Sequence, residues 1–230
     1  MNFPLKTAVQ FHSLDQKKQR LGGQESDLQA LIREHLILHS SNAESSSNNL
    51  PYLATSAEEI STSQASTMFS FLLELDRKIE ELDASALLGL YHSLVAEPAG
   101  GYRNEEVQPL ISSHVPLAPS GIVPALDRFF EWVRSPSFSE MHPVQQMTLS
   151  QIRLCEIYPF SRHCQVTISI FSSYFLLAQV FLPPLYRADQ SSDFRRALEQ
   201  AFLFSTQPLI DLNFEACRRA YDFVLSRVNS

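Results

Sequence analysis

Cysteine is scarce: the 230-residue chain has 3. Cys155, Cys164 and Cys217 are too few and too scattered for a disulfide framework, and no CxxC pair is present to seed a metal site. They read as core filler or reduced thiols, the usage of a cytosolic chain. Positive charge is short too. Lys and Arg number 18 against 25 Asp and Glu, a net charge of −7, which argues against a general nucleic-acid or anionic-membrane binder. Long apolar runs are missing. The most apolar stretch, Ile168 to Leu182, spans about 15 residues and is broken by Ser172, Ser173 and Gln179. A membrane span wants about 20, so the stretch reads as a buried core helix. The opening MNFPLKTAVQFHS has no continuous apolar segment of the kind a secretory leader carries. A soluble, cytoplasmic protein is expected.

What is present suffices for one large domain, or one domain with an N-terminal appendage. With 44% hydrophobic and 19% charged residues, the chain can bury a substantial core. Leu28 to Leu38 (LQALIREHLIL) has helical apolar spacing and runs into HSSNAESSSNNLPY, where Ser and Asn compete for backbone hydrogen bonds. Met68, Phe71, Leu72, Leu75, Ile79 and Leu82 share one helix face. Asp83 is a plausible N-cap for DASALLGLYHSLV. The glycines and prolines of PAGGYRNEEVQPLISSHVPLAP, with the Val107 to Val115 stretch, suggest a small β-hairpin. Helices are predicted at Pro124 to Val133 and at Met141 to Ile157, where Pro143 is tolerated in the first turn. YPFSRHCQ interrupts the pattern before Thr167 to Val180 resumes it. Helices over Asp193 to Phe204 and Asp211 to Val228 close an all-α bundle with one hairpin.

The succession MHPVQQMTLSQIRLCEIYPFSRHCQVTISIFSSYFLLAQVFLPP resembles the core of the Fic domain, the fold of AMP-transferring and related enzymes. The family pattern is His-Pro-Phe-x-(Asp/Glu)-Gly-Asn-Gly-Arg between a helix opening on His-Pro and an apolar helix. Upstream, LYHSLV…GGYRNEEVQPLISSHVPLAPSGIVPALDRFFEWV looks like the lead helix, flap hairpin and following helix. The tail SSDFRRALEQAF…QPLIDLNFEACRRA is similar to the closing helices. The resemblance implies a Fic-type helical bundle over residues 51–230, with a small β-hairpin flap. Residues 1–50 then form an N-terminal segment holding an inhibitory-type helix: Ser40-Ser41-Asn42-Ala43-Glu44-Ser45 matches the Ser and Glu of that element and departs at its last position.

Within the motif, the resemblance places Tyr158 at the catalytic His, followed by intact Pro159 and Phe160. Arg162 falls on the acidic metal position. His163, Cys164, Gln165 and Val166 fall on Gly, Asn, Gly and Arg, and Ser169 on a further Arg. Each replacement has a chemical meaning. The family His takes a proton from the target hydroxyl, which needs a base near neutrality, whereas a tyrosine titrates near pH 10. The glycines let backbone N–H groups approach phosphates, so side chains at 163 and 165 are expected to intrude and to forbid that backbone shape. An acidic residue holds Mg²⁺ through hard oxygens, and Arg162 reverses the charge. Val166 cannot clamp phosphate oxygens as Arg does, and it leaves Glu44 without its family partner, a place Arg162 could take.

The expectation is a Fic-fold protein with a degenerate motif, YPFSRHCQV, unable to transfer AMP and working by binding or regulation. The flap residues Gly101, Arg103 and His114 then carry capture of a protein partner, because strand addition rests on backbone hydrogen bonds and outlives the motif. No cofactor and no metal are predicted. The alternative is an AMP transferase, or a related phosphate-group transferase, acting through a rebuilt site. It requires ATP with Mg²⁺ and an anion held by Arg162 or His163. Tyr158 either donates to a ligand or packs at a helix end. Cys164 as a nucleophile needs a depressed pKa that adjacency to His163 does not supply. No residue specifies an interface for a homo-oligomer, although the resemblance allows one.

Overall fold

The computed structural model describes residues 5–21, 49–50, 62–75, 78–95, 101–108, 111 and 114–228. Among these the regular structure is almost entirely helical. In order come α1 (Leu5–Leu21), α2 (Thr62–Glu74), α3 (Ala84–Leu94), α4 (Ile122–Val133), the single turn α5 (Pro136–Ser139) and α6 (Pro143–Ile157). Then follow α7 (Cys164–Ser172), the single turn α8 (Tyr174–Leu177), α9 (Ser191–Phe202) and α10 (Gln207–Val228). Strand β1 (Asn49–Leu50) pairs antiparallel with β2 (Tyr186–Arg187).

Helices α6 and α7 form the centre. Every residue of α7 is buried, and α6 exposes little beyond Arg153 and parts of Leu149 and Glu156. Around them pack α4, α8 and α10, which is why two helices rich in Gln, Ser and Thr can be internal. Some of their polar groups find partners inside, whereas Ser150 Oγ and Ser172 Oγ are buried without a hydrogen bond among the described residues. Asn213 on α10 donates to Thr148 Oγ1 at 2.9 Å and to Gln151 Oε1 at 2.8 Å, and accepts from the Tyr186 hydroxyl at 2.9 Å. Burial pushes the Tyr186 phenol far up, so it remains a donor.

The helix ends follow local rules. Asp83 caps α3, its carboxylate accepting from the N–H groups of Ser85 (3.0 Å) and Ala86 (3.2 Å). His142 caps α6: Nδ1 accepts from the Val144 N–H at 3.2 Å, and the His142 backbone N–H donates to Gln145 Oε1 at 3.2 Å. The same imidazole fastens α1, stacking on Phe11 at 4.1 Å with Nε2 3.4 Å from Asp15. Ion pairs Lys6–Asp211 and Lys17–Asp222 tie α1 to α10.

Some expectations need correction. The described parts of 101–118 contain no strand, so no hairpin is seen at Val107 to Val115, of which residues 109, 110, 112 and 113 lie outside the described set. The segment is held by side-chain bonds instead. The helix expected through Leu82 ends at Glu74, with a separate 3₁₀ turn at Ile79–Glu81. The helix expected from Thr167 begins at Cys164 and, after the Ser173 junction, ends at Leu177; Val180 beyond it takes a left-handed conformation. Leu28 to Leu38, with Ser40 and Glu44, lies outside the described residues. No described helix is long and apolar enough to cross a membrane.

Candidate functional site

The interruption between α6 and α7 is a turn bounded by two left-handed residues. Tyr158 closes α6 at φ 50°, ψ 66°, donating its N–H to the Leu154 carbonyl at 2.8 Å. His163 precedes α7 at φ 52°, ψ 20°, and its carbonyl accepts from the Thr167 N–H at 3.0 Å and hydroxyl at 2.8 Å. The expectation that a side chain at 163 forbids a glycine-like backbone therefore fails. Histidine adopts that backbone, at a cost of roughly 1–2 kcal/mol for an L-residue. Gln165 does not intrude into open space either: it is an interior residue of α7, buried with Cys164 and Val166.

The first half of the turn is locked. Phe160 is fully buried, stacked on Tyr91 with centroids 4.0 Å apart and planes within 5°; Tyr102 lies 5.9 Å away. The Tyr158 ring is buried. Arg103 supplies the main lock. Its Nε donates to the Tyr158 carbonyl at 2.7 Å, Nη1 to the Glu105 carbonyl at 3.0 Å, and Nη2 to the carbonyls of Leu117 and, at 3.4 Å, Ile157. Its backbone N–H donates to the Pro159 carbonyl at 2.9 Å. A cation buried at the carbonyl end of α6 is well placed, because the helix terminus carries partial negative charge. Arg103, expected to serve capture at the flap, is thus the suture between residues 101–118 and the turn. Sequence gave no signal for this: an arginine after Gly-Tyr does not say which carbonyls it will find.

The second half faces out. Ser161 and Arg162 are exposed, and Arg162 makes no hydrogen bond or ion pair among the described residues. His163 is half-buried, with Nδ1 enclosed and unpartnered. Gly101 is exposed, and a Cβ there would meet nothing within 4 Å. His114 is half-buried, its ring 4.2 Å from Phe202 and Nε2 3.4 Å from the Glu156 carbonyl. Among the described residues, no three His, Cys, Asp or Glu side chains converge as metal ligands would.

None of the described cavities is lined by residues 158–166. Two hollows open instead beyond the flap segment. One, about 530 Å³, is bordered by His114, Leu117, Arg128 and Phe129; the other, about 730 Å³, by Leu149, Ile152, Phe202 and Phe204. They share Trp132, Arg153 and Glu156, so they adjoin along one face. The sequence reading missed them. Trp132, the lone tryptophan, and the Arg153–Glu156 pair at i,i+3 were the signals available.

No protein-family model matches the chain. Among curated proteins it is similar to "Protein adenylyltransferase Fic" of Nematostella vectensis, 27% identical over 155 residues, covering 67% of this chain and 33% of that protein. The protein of the same name from Drosophila ananassae is 23% identical over 147 residues, covering 63% and 30%. The chain thus spans about a third of the length of these relatives. Among solved structures, Fic-1 (residues 134–508) of C. elegans superposes with a TM-score of 0.71 at 15% identity, covering 96% of this chain and 71% of that one. A Fic domain containing signaling protein from Bacteroides thetaiotaomicron gives 0.69 at 12% identity, covering 94% and 96%. The chain has the Fic fold.

Proposed function

We propose that this Fic-fold protein does not transfer AMP and works as a binding or regulatory module, holding an extended protein segment beside residues 101–118. One observation carries the reading: the turn keeps its scaffold and lacks its chemistry. Pro159 and Phe160, the matching residues, are buried in the fold, whereas the positions for base, acid and phosphate clamp hold a buried phenol, an exposed guanidinium and a buried valine. Losing a general base or a preorganised charge partner costs about 10²–10⁴ each in rate. An Mg²⁺–nucleotide pair does not fit these residues, because Arg162 opposes a cation and, among the described residues, no cluster of three metal-ligating side chains forms. The groove beside His114 and Leu117 offers a partner an apolar floor next to flap backbone, the combination strand-type capture uses. Three buried cysteines outside any disulfide suit a cytoplasmic setting.

A second reading, a transferase with a rebuilt site, draws support from His163. The left-handed backbone at the start of α7 has not collapsed, and Arg162 stands beside it in solvent. Incubation of the pure chain with ATP and Mg²⁺, read by intact mass, separates the two. The binding reading expects no AMP adduct on the chain or on added hydroxyl-bearing protein. An adduct that disappears in Arg162→Ala establishes the transferase instead.

A further inference from the structure

The hollow of about 530 Å³ lies where α4, α6 and the flap segment meet. On α4, Ala125, Arg128, Phe129 and Trp132 recur at helical spacing and share one face; on α6, Arg153, Glu156 and Ile157 do the same. His114 and Leu117 close the remaining side. These walls are held in place. Trp132 packs edge-on against Phe138 with centroids 4.8 Å apart and lies 6.1 Å from Phe129. The Leu117 carbonyl is bound by Arg103, and His114 stands against Phe202. Ala125, which has no side chain beyond Cβ, leaves space that a larger residue of α4 would fill. Both the size and the apolar floor are those of a small-molecule site.

The charges at the rim decide what fits. Arg153 and Glu156 are paired at 2.9 Å and offset one another. Arg128 is exposed and makes no hydrogen bond or ion pair among the described residues. Neither Asp127 nor Glu131, its acidic neighbours on α4, borders the hollow. In a chain of net charge −7, the hollow therefore presents one uncompensated guanidinium over an aromatic floor. A guanidinium recognises a carboxylate through paired hydrogen bonds, and an apolar body joined to that carboxylate covers Trp132 and Phe129.

We propose that this hollow binds a small amphipathic acid, its carboxylate on Arg128 and its apolar body over Trp132 and Phe129. The inference goes beyond the proposed function, since it needs neither the turn at 158–166 nor capture of a partner segment. Trp132 is the chain's single tryptophan, so its fluorescence reports on the hollow directly. Decanoate, titrated into the full chain below its micelle-forming concentration, should give a saturable blue shift, and decanol should bind about tenfold more weakly. Arg128→Met, at an exposed position, should keep the thermal midpoint, lose that same factor for decanoate and leave decanol unchanged. Ala125→Leu should abolish the shift with both probes. No saturable shift at millimolar decanoate overturns the inference. So does decanol binding as tightly as decanoate, or a decanoate affinity that either variant leaves unaltered.

Discussion

The two halves of the turn between α6 and α7 differ in almost every respect. Tyr158 to Phe160 is buried, stacked and tied by one arginine to the flap segment. Ser161 to His163 faces solvent in large part, and its one cation has no partner among the described residues. Pro159 and Phe160, which match the Fic pattern, are buried in the fold, whereas the replaced positions, Tyr158 and Arg162 to Val166, are where the resemblance puts the pattern's chemistry. Architecture and reactivity are separable because they rest on different physics. Packing needs shape and area, which proline and phenylalanine supply, whereas transfer needs a base, an anion clamp and a metal ligand in one place.

Substitution can sharpen this contrast. Phe160→Ala should show the largest effect, about 3–5 kcal/mol lost in denaturant unfolding, since it empties a fully buried aromatic site. Arg162→Ala in the other half should stay within about 0.5 kcal/mol. If the two cost the same, the division is wrong. Arg103→Met comes next. It keeps the bulk but leaves the carbonyls of Tyr158, Glu105 and Leu117 unpaired, for about 3 kcal/mol of stability, and hydrogen exchange should quicken in both 101–108 and 158–163. His163→Gly should stabilise by about 1 kcal/mol by relieving the left-handed strain, visible as a higher thermal midpoint.

The smallest effect concerns the other end of α6. Burial holds His142 below its ordinary value, partly opposed by Asp15. The unfolded chain therefore takes up this proton first as pH falls below about 6.5, and stability declines from there until the folded ring is also protonated. Protonation at Nδ1 would also cancel its bond from the Val144 N–H. Thermal midpoints at about pH 7.5 and 5.5 should differ in the native chain, and less in His142→Asn, which caps without titrating.

Much of the fold was legible because local signals were strong. Asp83 before an apolar run and Pro143 behind His142 marked helix starts that form as read. α1 was not legible: among its described side chains only Thr7, Phe11 and Leu14 are buried, too few for a periodic signal. The described parts of 101–118 form no strand, and the Gly, Pro and Val of this segment suit a strand pair and an irregular loop alike. In the site, the motif replacements were readable by type, but not that Arg103 would be consumed by carbonyls, nor that His163 would accept a glycine's backbone. Both depend on contacts across more than fifty residues of chain or on a local strain that packing overrides.

The central claim is that this turn has kept its shape and lost its nucleotide chemistry. Calorimetric titration of the pure chain with ATP, with and without Mg²⁺, tests it most directly. The account predicts no binding heat at millimolar nucleotide in either condition. Saturable binding that vanishes in Arg162→Ala would contradict it and identify the exposed half of the turn as a working anion site.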